Sequence, residues 1–394
     1  MFRIGIAGCG IAGTAAATHL ARAGHRVTLF ERAPALGPVG AGLLLQVSGQ
    51  EALAELGLLE QVAAQSEPLS ELRAVQVSGR GLIRLPYAAA DPGWQGYGVA
   101  RSTLFSALLG ACRAAGAEVV SGAPIAGRER TAEGTWLLGP VGPSGSDGSE
   151  RARYGPFDFV IAADGARSVL RTGCGLRHSC RPYGFGALWS TGPCVGVRGH
   201  LYQVVRGTSI LIGILPMGNG RASFFWGDFQ DRIDGLRARG FTAWRDEVLG
   251  LCPAAEEIYG ELRSFEQTAF VTYAHVSCPC WHDDSLLLLG DAAHAMSPHL
   301  GQGANLALAD ASSFARHLAA TGDFAEACRR HEAERRPVVA YLAQLSYLLT
   351  PFFQSGSRIL GWGRDVALPL LTAVPPLRRR MARTLAGKAG GWWA

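Results

Sequence analysis

Residues 4–13 read Ile4-Gly5-Ile6-Ala7-Gly8-Cys9-Gly10-Ile11-Ala12-Gly13, a short apolar run that passes directly into Gly8-x-Gly10-x-x-Gly13. The run predicts a strand, and the glycines predict a tight turn into a helix. In such a turn the first glycine permits the bend, the second lets the backbone approach a pyrophosphate, and the third lets the helix pack closely on its strand. The N–H groups of the first helical turn, those of Ile11 and Ala12 among them, lack intrahelical partners and face an anion.

The motif alone also suits a glycine-rich turn with no ligand, so its surroundings decide. Residues 14–24 form a small-residue helix closed by Gly24, and Arg26-Val-Thr-Leu-Phe-Glu31 is a β-branched strand ending in an acid. Glu31 falls roughly 20 residues beyond the glycines, where a carboxylate accepts from a ribose 2′-hydroxyl. That favours FAD or NAD over NADP at this first site. Arg32 beside it is a further cofactor candidate.

With 394 residues and 48% hydrophobic content, the chain exceeds what one core usually supports, so two interlocked domains are expected. Its net charge of +5 is carried almost wholly by arginine, since Lys388 is the only lysine, and outside Arg378–Arg380 the basic residues are scattered. A nucleic-acid surface would need clustering, so no nucleic-acid partner is expected. Nine cysteines form no metal-like CxxC pair, no metal site is expected, and Cys278-Pro-Cys280 reads as loop structure. A chain that opens on a cofactor strand suggests no secretory signal, and hence a reducing cytoplasm. No uninterrupted apolar run reaches the length of a membrane span.

Along the chain, helical spacing covers 50–59, 101–115, 303–319 and 323–349. Strand-like segments fall at 72–78, 82–85, 118–120 and 157–162, with loop-like stretches at 86–98 and 139–150. Between Tyr183 and Val276 the pattern changes to short alternating strands at 184–190, 200–205, 209–215, 221–227 and 268–273, with helices near 229–249. An antiparallel sheet inserted into a parallel α/β framework is expected.

Two further motifs carry a family resemblance. Phe159-Val-Ile-Ala-Ala-Asp164-Gly165-Ala-Arg-Ser168-x-x-Arg171 resembles the Asp-Gly motif of group A flavoprotein monooxygenases, the class typified by p-hydroxybenzoate hydroxylase. Leu286-Leu-Leu-Leu-Gly290-Asp291-Ala-Ala-His294-x-x-x-Pro298-x-x-Gly301-Gln302-Gly303-x-Asn305 resembles their Gly-Asp motif. The resemblance covers at least residues 1–335, and residues 39–46 are most similar to salicylate-hydroxylase-like and quinolone- or urate-type members. Val47-Ser48-Gly49 departs from the family's Pro-Asn-Gly, which leaves the helix entry there open.

The resemblance implies an α/β fold: a Rossmann-like FAD-binding domain of the glutathione-reductase type, an inserted antiparallel β-sheet substrate domain and C-terminal helices. The expected division is 1–71, 98–182 and 277–335 for the discontinuous FAD domain, 72–97 and 183–276 for the sheet, and 336–394 for the tail. It implies a single-component monooxygenase in which NADPH or NADH transiently reduces FAD. Oxygen then adds at flavin C4a, and the hydroperoxide hydroxylates an aromatic small molecule. A flavin reductase or dehydrogenase without oxygen insertion is the alternative. A flavin halogenase would need a lysine between flavin and substrate, and Lys388 lies far beyond the motifs.

By the same resemblance Gly8, Gly10, Gly13, Glu31, Arg32, Gln46, Arg101, Asp164, Gly165, Asp291, Pro298, Gly301, Gln302, Gly303, Ala304 and Asn305 are cofactor-binding candidates. Asp291 follows a four-leucine strand, where an ionised carboxylate needs hydrogen bonds, and a ribitol hydroxyl would give one. A helix starting near Gly303 would favour negative charge on a reduced ring. His299, after Pro298, is the candidate base that would activate a phenol. Tyr202, Trp226, Tyr273 and His275 on the inserted sheet are candidates for the substrate pocket. The tail from Tyr347 to Trp393 reads as a helical cover on the cofactor domain, with a membrane-surface contact as the alternative. A monomer or homodimer is expected.

Overall fold

Short β-branched and apolar runs separated by helical stretches build a five-stranded sheet in the order Leu286–Leu288, Phe159–Ala162, Arg3–Ala7, Arg26–Phe30, Glu118–Val120. All four pairings are parallel. A parallel sheet is covered on both faces, and its strands therefore read as continuous apolar runs: Ile4, Ile6, Val160, Ile161 and Leu286–Leu288 are all fully buried. The helices Ile11–Arg22, Arg101–Ala114 and Gly303–Thr321 contribute Leu20, Leu104 and Leu308 to the same core. This computed structural model describes residues 1–37, 41–141 and 151–392. Val39 and Gly40 of the 39–46 stretch, nearly all of the 139–150 loop, and Trp393 lie outside them.

The inserted sheet has seven strands, ordered Ala269–Ser277, Ser179–Pro193, Arg221–Phe229, Ile210–Pro216, His200–Arg206, Glu71–Gln76, Gly81–Pro86. Its pairings are antiparallel except that between Glu71–Gln76 and His200–Arg206. Helices Gln230–Ala238, Phe241–Leu251 and Glu256–Glu261 pack on one face of it, where Trp226, Trp244 and Tyr259 form an aromatic second core. The opposite face is left for the site.

Two small sheets were not legible. Gly42–Leu45, Gly96–Ala100 and Glu67–Leu69 form one, and Gly127–Thr131, Gly134–Leu138 and Arg153–Phe157 the other. Gly96–Ala100 lies where the glycine-rich sequence reads as loop, because its ladder partner is more than a helix away in sequence. The unusual entry at 47–49 is helical from Val47, and Gly49 is required there: a Cβ would stand 2.2 Å from Asn305 Oδ1.

The tail is three helices, Phe324–Phe353, Arg358–Ala373 and Pro375–Leu385. The last packs Ala382 and Leu385 against Val47, Leu85 and Tyr87. No described helix is long and apolar enough to cross a membrane.

Candidate active site

The glycine turn sits at the carboxyl ends of the parallel strands. Gly8 adopts φ +104°, and a Cβ on it would press on the Ala163 backbone; a Cβ on Gly13 would lie 1.9 Å from the Gly8 carbonyl. These two glycines close the helix onto the strand. Gly10, in contrast, faces open space, with no atom within 4 Å of where its Cβ would be. The helix it opens has no side-chain cap and no acid in its first turn, so its leading N–H groups are available to an anion. Glu31 reaches this turn from the next strand, its carboxylate accepting from Cys9 N–H at 3.1 Å and Ala33 N–H at 3.0 Å. Arg32 is exposed at the same edge.

The Asp-Gly motif follows the adjacent strand. Asp164 Oδ2 accepts from Val169 N–H at 2.9 Å, while its buried Oδ1 has no partner in the protein. Gly165 is left-handed at φ +84° and also faces open space. Arg171 is buried and donates to Ala166 O at 2.7 Å and Ala292 O at 2.8 Å, tying this loop to the Gly-Asp motif. In that second motif Gly290 turns the chain, and His294 Nε2 lies 2.6 Å from Asp310 Oδ2. Arg335 Nε donates to the other Asp310 oxygen at 2.8 Å. Burial alone would raise the Asp310 carboxyl, but His294 and Arg335 outweigh it and hold it well below the usual carboxylate range.

A cavity of about 350 Å³ lies between the loop 296–304 and the open face of the inserted sheet. Arg101, Tyr273, Asp291, Pro298, His299, Gly301, Gln302, Gly303 and Ala304 all border it, so residues nearly 200 positions apart in sequence meet there. Asp291 is ringed by protein, but its carboxylate opens into the cleft. Burial pushes its pKa up, partly offset by His294 and Arg101. Burial likewise depresses the Arg101 guanidinium, with Asp291 and Tyr273 opposing the shift, and its Nε is buried without a partner.

The cavity's polar groups are few. Burial holds the His299 imidazole down to about 4. Its Nδ1 lies 2.9 Å from Ser297 Oγ, its Nε2 has no partner, and its ring stands against Phe185 and Phe353. Tyr273 accepts from Trp189 Nε1 at 3.0 Å, and burial pushes its phenol up to about 12, so it keeps its proton to donate. Phe185, Trp189 and Phe225 supply the remaining aromatic wall.

Five expected residues, Trp226, Tyr202, His275, Asn305 and Gln46, do not border the cavity. Trp226 is fully buried among the covering helices, and Tyr202 packs toward that same core. Both fall on the wrong face by strand alternation: their neighbours Phe225 and Gly227, Leu201 and Gln203 border the cavity instead. His275 lies beyond the cavity end of its strand, against Tyr347 and Tyr183. Asn305 is buried with its side chain wholly used by the protein, accepting from Gln46 N–H at 2.8 Å and donating to Leu44 O at 3.0 Å and Gly301 O at 2.9 Å. It braces the loop that a cofactor ring would meet. Gln46 is also off the cavity, its Oε1 accepting from Tyr87 Oη at 2.5 Å while its buried Nε2 has no partner, whereas Gln302 borders the cavity and lends its amide to Leu385 O at 2.8 Å.

Sequence reasoning missed Phe185, Trp189, Phe225 and Gln354. The central strands Ile210–Pro216 and Arg221–Phe229 are apolar on both faces, so their spacing carried no sign of which face was free, and Gln354 comes from the end of the helix Phe324–Phe353. Near the Cys278-Pro-Cys280 loop, Cys280, His282 and Glu332 come within ligand distance of one another, among the described residues. Glu332 is already engaged by Trp281 N–H, His282 and Arg336, which makes this a hydrogen-bonded latch between loop and helix.

A flavin dinucleotide fits these features. Gly10 and Gly165 leave room for a pyrophosphate, an uncapped helix start faces that room, and partnerless atoms on Asp164 and Arg101 stand along the way to the cavity. Comparison with known proteins agrees. Residues 1–346 match the FAD binding domain family. A kynurenine 3-monooxygenase of Salinispora tropica is 30% identical over 94% of this chain and 84% of its own length. The aurachin C monooxygenase/isomerase of Stigmatella aurantiaca is 28% identical over 93% of this chain and 94% of its own. Among solved structures, Klebsiella pneumoniae HpxO complexed with FAD and uric acid has a TM-score of 0.80 at 21% identity, covering 100% of this chain and 98% of that one, a likeness of fold. The chain belongs to the FAD-dependent aromatic monooxygenases, oxidoreductases that use NAD(P)H as reductant.

Proposed function

We propose that the cavity between residues 296–304 and the inserted sheet takes a largely apolar aromatic molecule bearing one or two polar substituents, and that this molecule is hydroxylated there. The supporting observation is the wall itself: Phe185, Trp189 and Phe225 on one side and the Gly-Asp loop on the other, with polar side chains on the sheet limited to Gln203 and Tyr273 and the rest, Arg101, Asp291, Ser297, His299, Gln302 and Gln354, set around them. Relatives whose names mention kynurenine, a quinolone and aurachin point to the same chemical class.

The domain division proposed is 1–71, 98–182 and 277–335 for cofactor binding, 72–97 and 183–276 for substrate, and 336–394 for the tail. Gly8, Gly10, Gly13 and Glu31 would hold the adenosine and pyrophosphate end of FAD. Asp164, Gly165, Arg101 and Asp291 would hold its middle, and the 298–304 loop its ring. When bound, FAD reduced by NAD(P)H would supply the two electrons that activate O₂, of which one oxygen atom goes to the substrate and the other leaves as water.

The chain's own residues do the rest. The uncapped start of Gly303–Thr321 favours negative charge where the ring would lie. Tyr273 donates from a phenol that stays protonated, and His299 offers a neutral imidazole Nε2. An imidazole held near 4 is a poor proton acceptor at neutral pH, so His299 orients the substrate rather than deprotonating it. The apolar wall excludes water, which keeps reducing equivalents from being wasted. The enzyme acts as a monomer or homodimer in a reducing compartment, in keeping with nine cysteines that are all free.

The test is NAD(P)H oxidation by the FAD-loaded protein across phenols, hydroxyquinolines and polyketide-like aromatics under ¹⁸O₂. Stimulated oxidation with one labelled oxygen in the product is expected. A product differing by two hydrogens and carrying no label would overturn hydroxylation in favour of a reductase.

A further inference from the structure

The exposed apolar side chains of this protein are concentrated in one place. Of the 15 large hydrophobic residues that stand exposed among the described residues, ten fall between Tyr347 and Trp392. Within Arg358–Ala373 they follow helical spacing. Ile359, Trp362, Val366 and Leu370 lie on one face, with Ile359 81%, Trp362 72% and Leu370 63% exposed. Tyr347 and Leu348 on the preceding helix and Val374 and Leu377 at the start of the next extend the apolar surface.

The same helix is inverted relative to an ordinary surface helix. Its buried side carries Arg364, 2% exposed, which donates to Gly207 O at 2.8 Å and Phe352 O at 2.9 Å and pairs with Asp365. A cation is turned inward and fully bonded while Trp362 and Ile359 are turned outward. Packing against the body therefore does not explain the apolar residues, since the helix is anchored from its other side, where Gly361 meets Thr208. A contiguous apolar face of this kind on a surface marks an interaction site.

Charge identifies the occupant. From residue 354 onward the chain has seven basic residues and one acid, Asp365, which is committed to Arg364. Arg358, Arg379 and Arg383 are exposed at the ends of this surface. A second copy of the chain would bring two basic stripes together, whereas a layer with anionic headgroups over hydrocarbon satisfies both features. With no described helix long and apolar enough to span, the element would lie in the plane of the interface.

We propose that Arg358–Ala373 and the Arg379/Arg383 end of the following helix form a docking surface for an anionic lipid bilayer, with Ile359, Trp362, Val366 and Leu370 inserted below the headgroups. None of these residues borders the cavity, so the inference stands whatever the substrate.

The experiment is co-sedimentation of the FAD-loaded protein with vesicles of phosphatidylcholine alone or mixed with phosphatidylglycerol, at low and high salt. Binding is expected to the mixed vesicles and to weaken at least about tenfold on pure phosphatidylcholine. Ile359→Asp with Leu370→Asp should abolish it. Arg379→Gln with Arg383→Gln should weaken it about tenfold and flatten its salt dependence, with flavin content and NAD(P)H oxidation unchanged in both. Absence of binding, or binding that the Ile359→Asp/Leu370→Asp variant leaves intact, would overturn the proposal. So would a dimer in sedimentation velocity that the same variant breaks while vesicles are ignored, which would make the surface a self-association face.

Discussion

Gly10 and Gly13 look alike in the motif but are required for opposite reasons. A methyl on Gly13 meets the Gly8 carbonyl at 1.9 Å, so Gly13→Ala should destabilise the fold by about 3 kcal/mol or more, measured by chemical denaturation of the apoprotein. A methyl on Gly10 meets nothing, so Gly10→Ala should leave apoprotein stability within about 0.5 kcal/mol while weakening FAD binding at least about tenfold. Equal effects of the two on apoprotein stability would refute this division. The buried histidines give a pH signature. His299 and His331 are both held down to about 4 from an ordinary 6.5, so the unfolded chain binds more protons between those values. Their neutral forms cost nothing above pH 6.5, and stability is then lost as pH falls from 6.5 to about 4, by on the order of 3 kcal/mol for each histidine. Denaturation midpoints of the protein and of His299→Phe across this range check it: the variant should show the shallower slope.

At the scale of elements, Gly303–Thr321 and Phe324–Phe353 are locked to the Gly-Asp motif through the Arg335–Asp310–His294 chain. Asp310→Ala would leave Arg335 with a mostly buried, uncompensated charge, at a cost of about 3–5 kcal/mol. It should also lower flavin occupancy, because His294 and the Asp291 turn lose their anchor; stability loss with full flavin retention would show that the chain only holds the helices together. Asn305 performs a comparable task for the loop ahead of Gly303. Its spacing placed it beside the cofactor motif, and only its three bonds to Gln46, Leu44 and Gly301 reveal that its side chain is spent on the scaffold.

At the scale of the whole molecule, the cofactor joins segments distant in the chain, so its binding energy is folding energy. FAD at a hundredfold excess over its dissociation constant should add about 2.7 kcal/mol, seen as a melting temperature that rises with FAD concentration. A melting temperature indifferent to FAD would contradict the assigned cleft. The sequence by itself determined the parallel framework, the three cofactor motifs and the change to an inserted sheet, because glycine spacing and apolar runs are local signals tied to backbone conformation and burial. Tertiary structure alone decided which face of the inserted sheet became the cavity wall, so that Phe225 and Tyr273 meet it and Trp226 and Tyr202 do not. Strands apolar on both sides carry no mark of which side another element will cover, and that choice is made only when the 298–304 loop and the C-terminal helices pack against one of them.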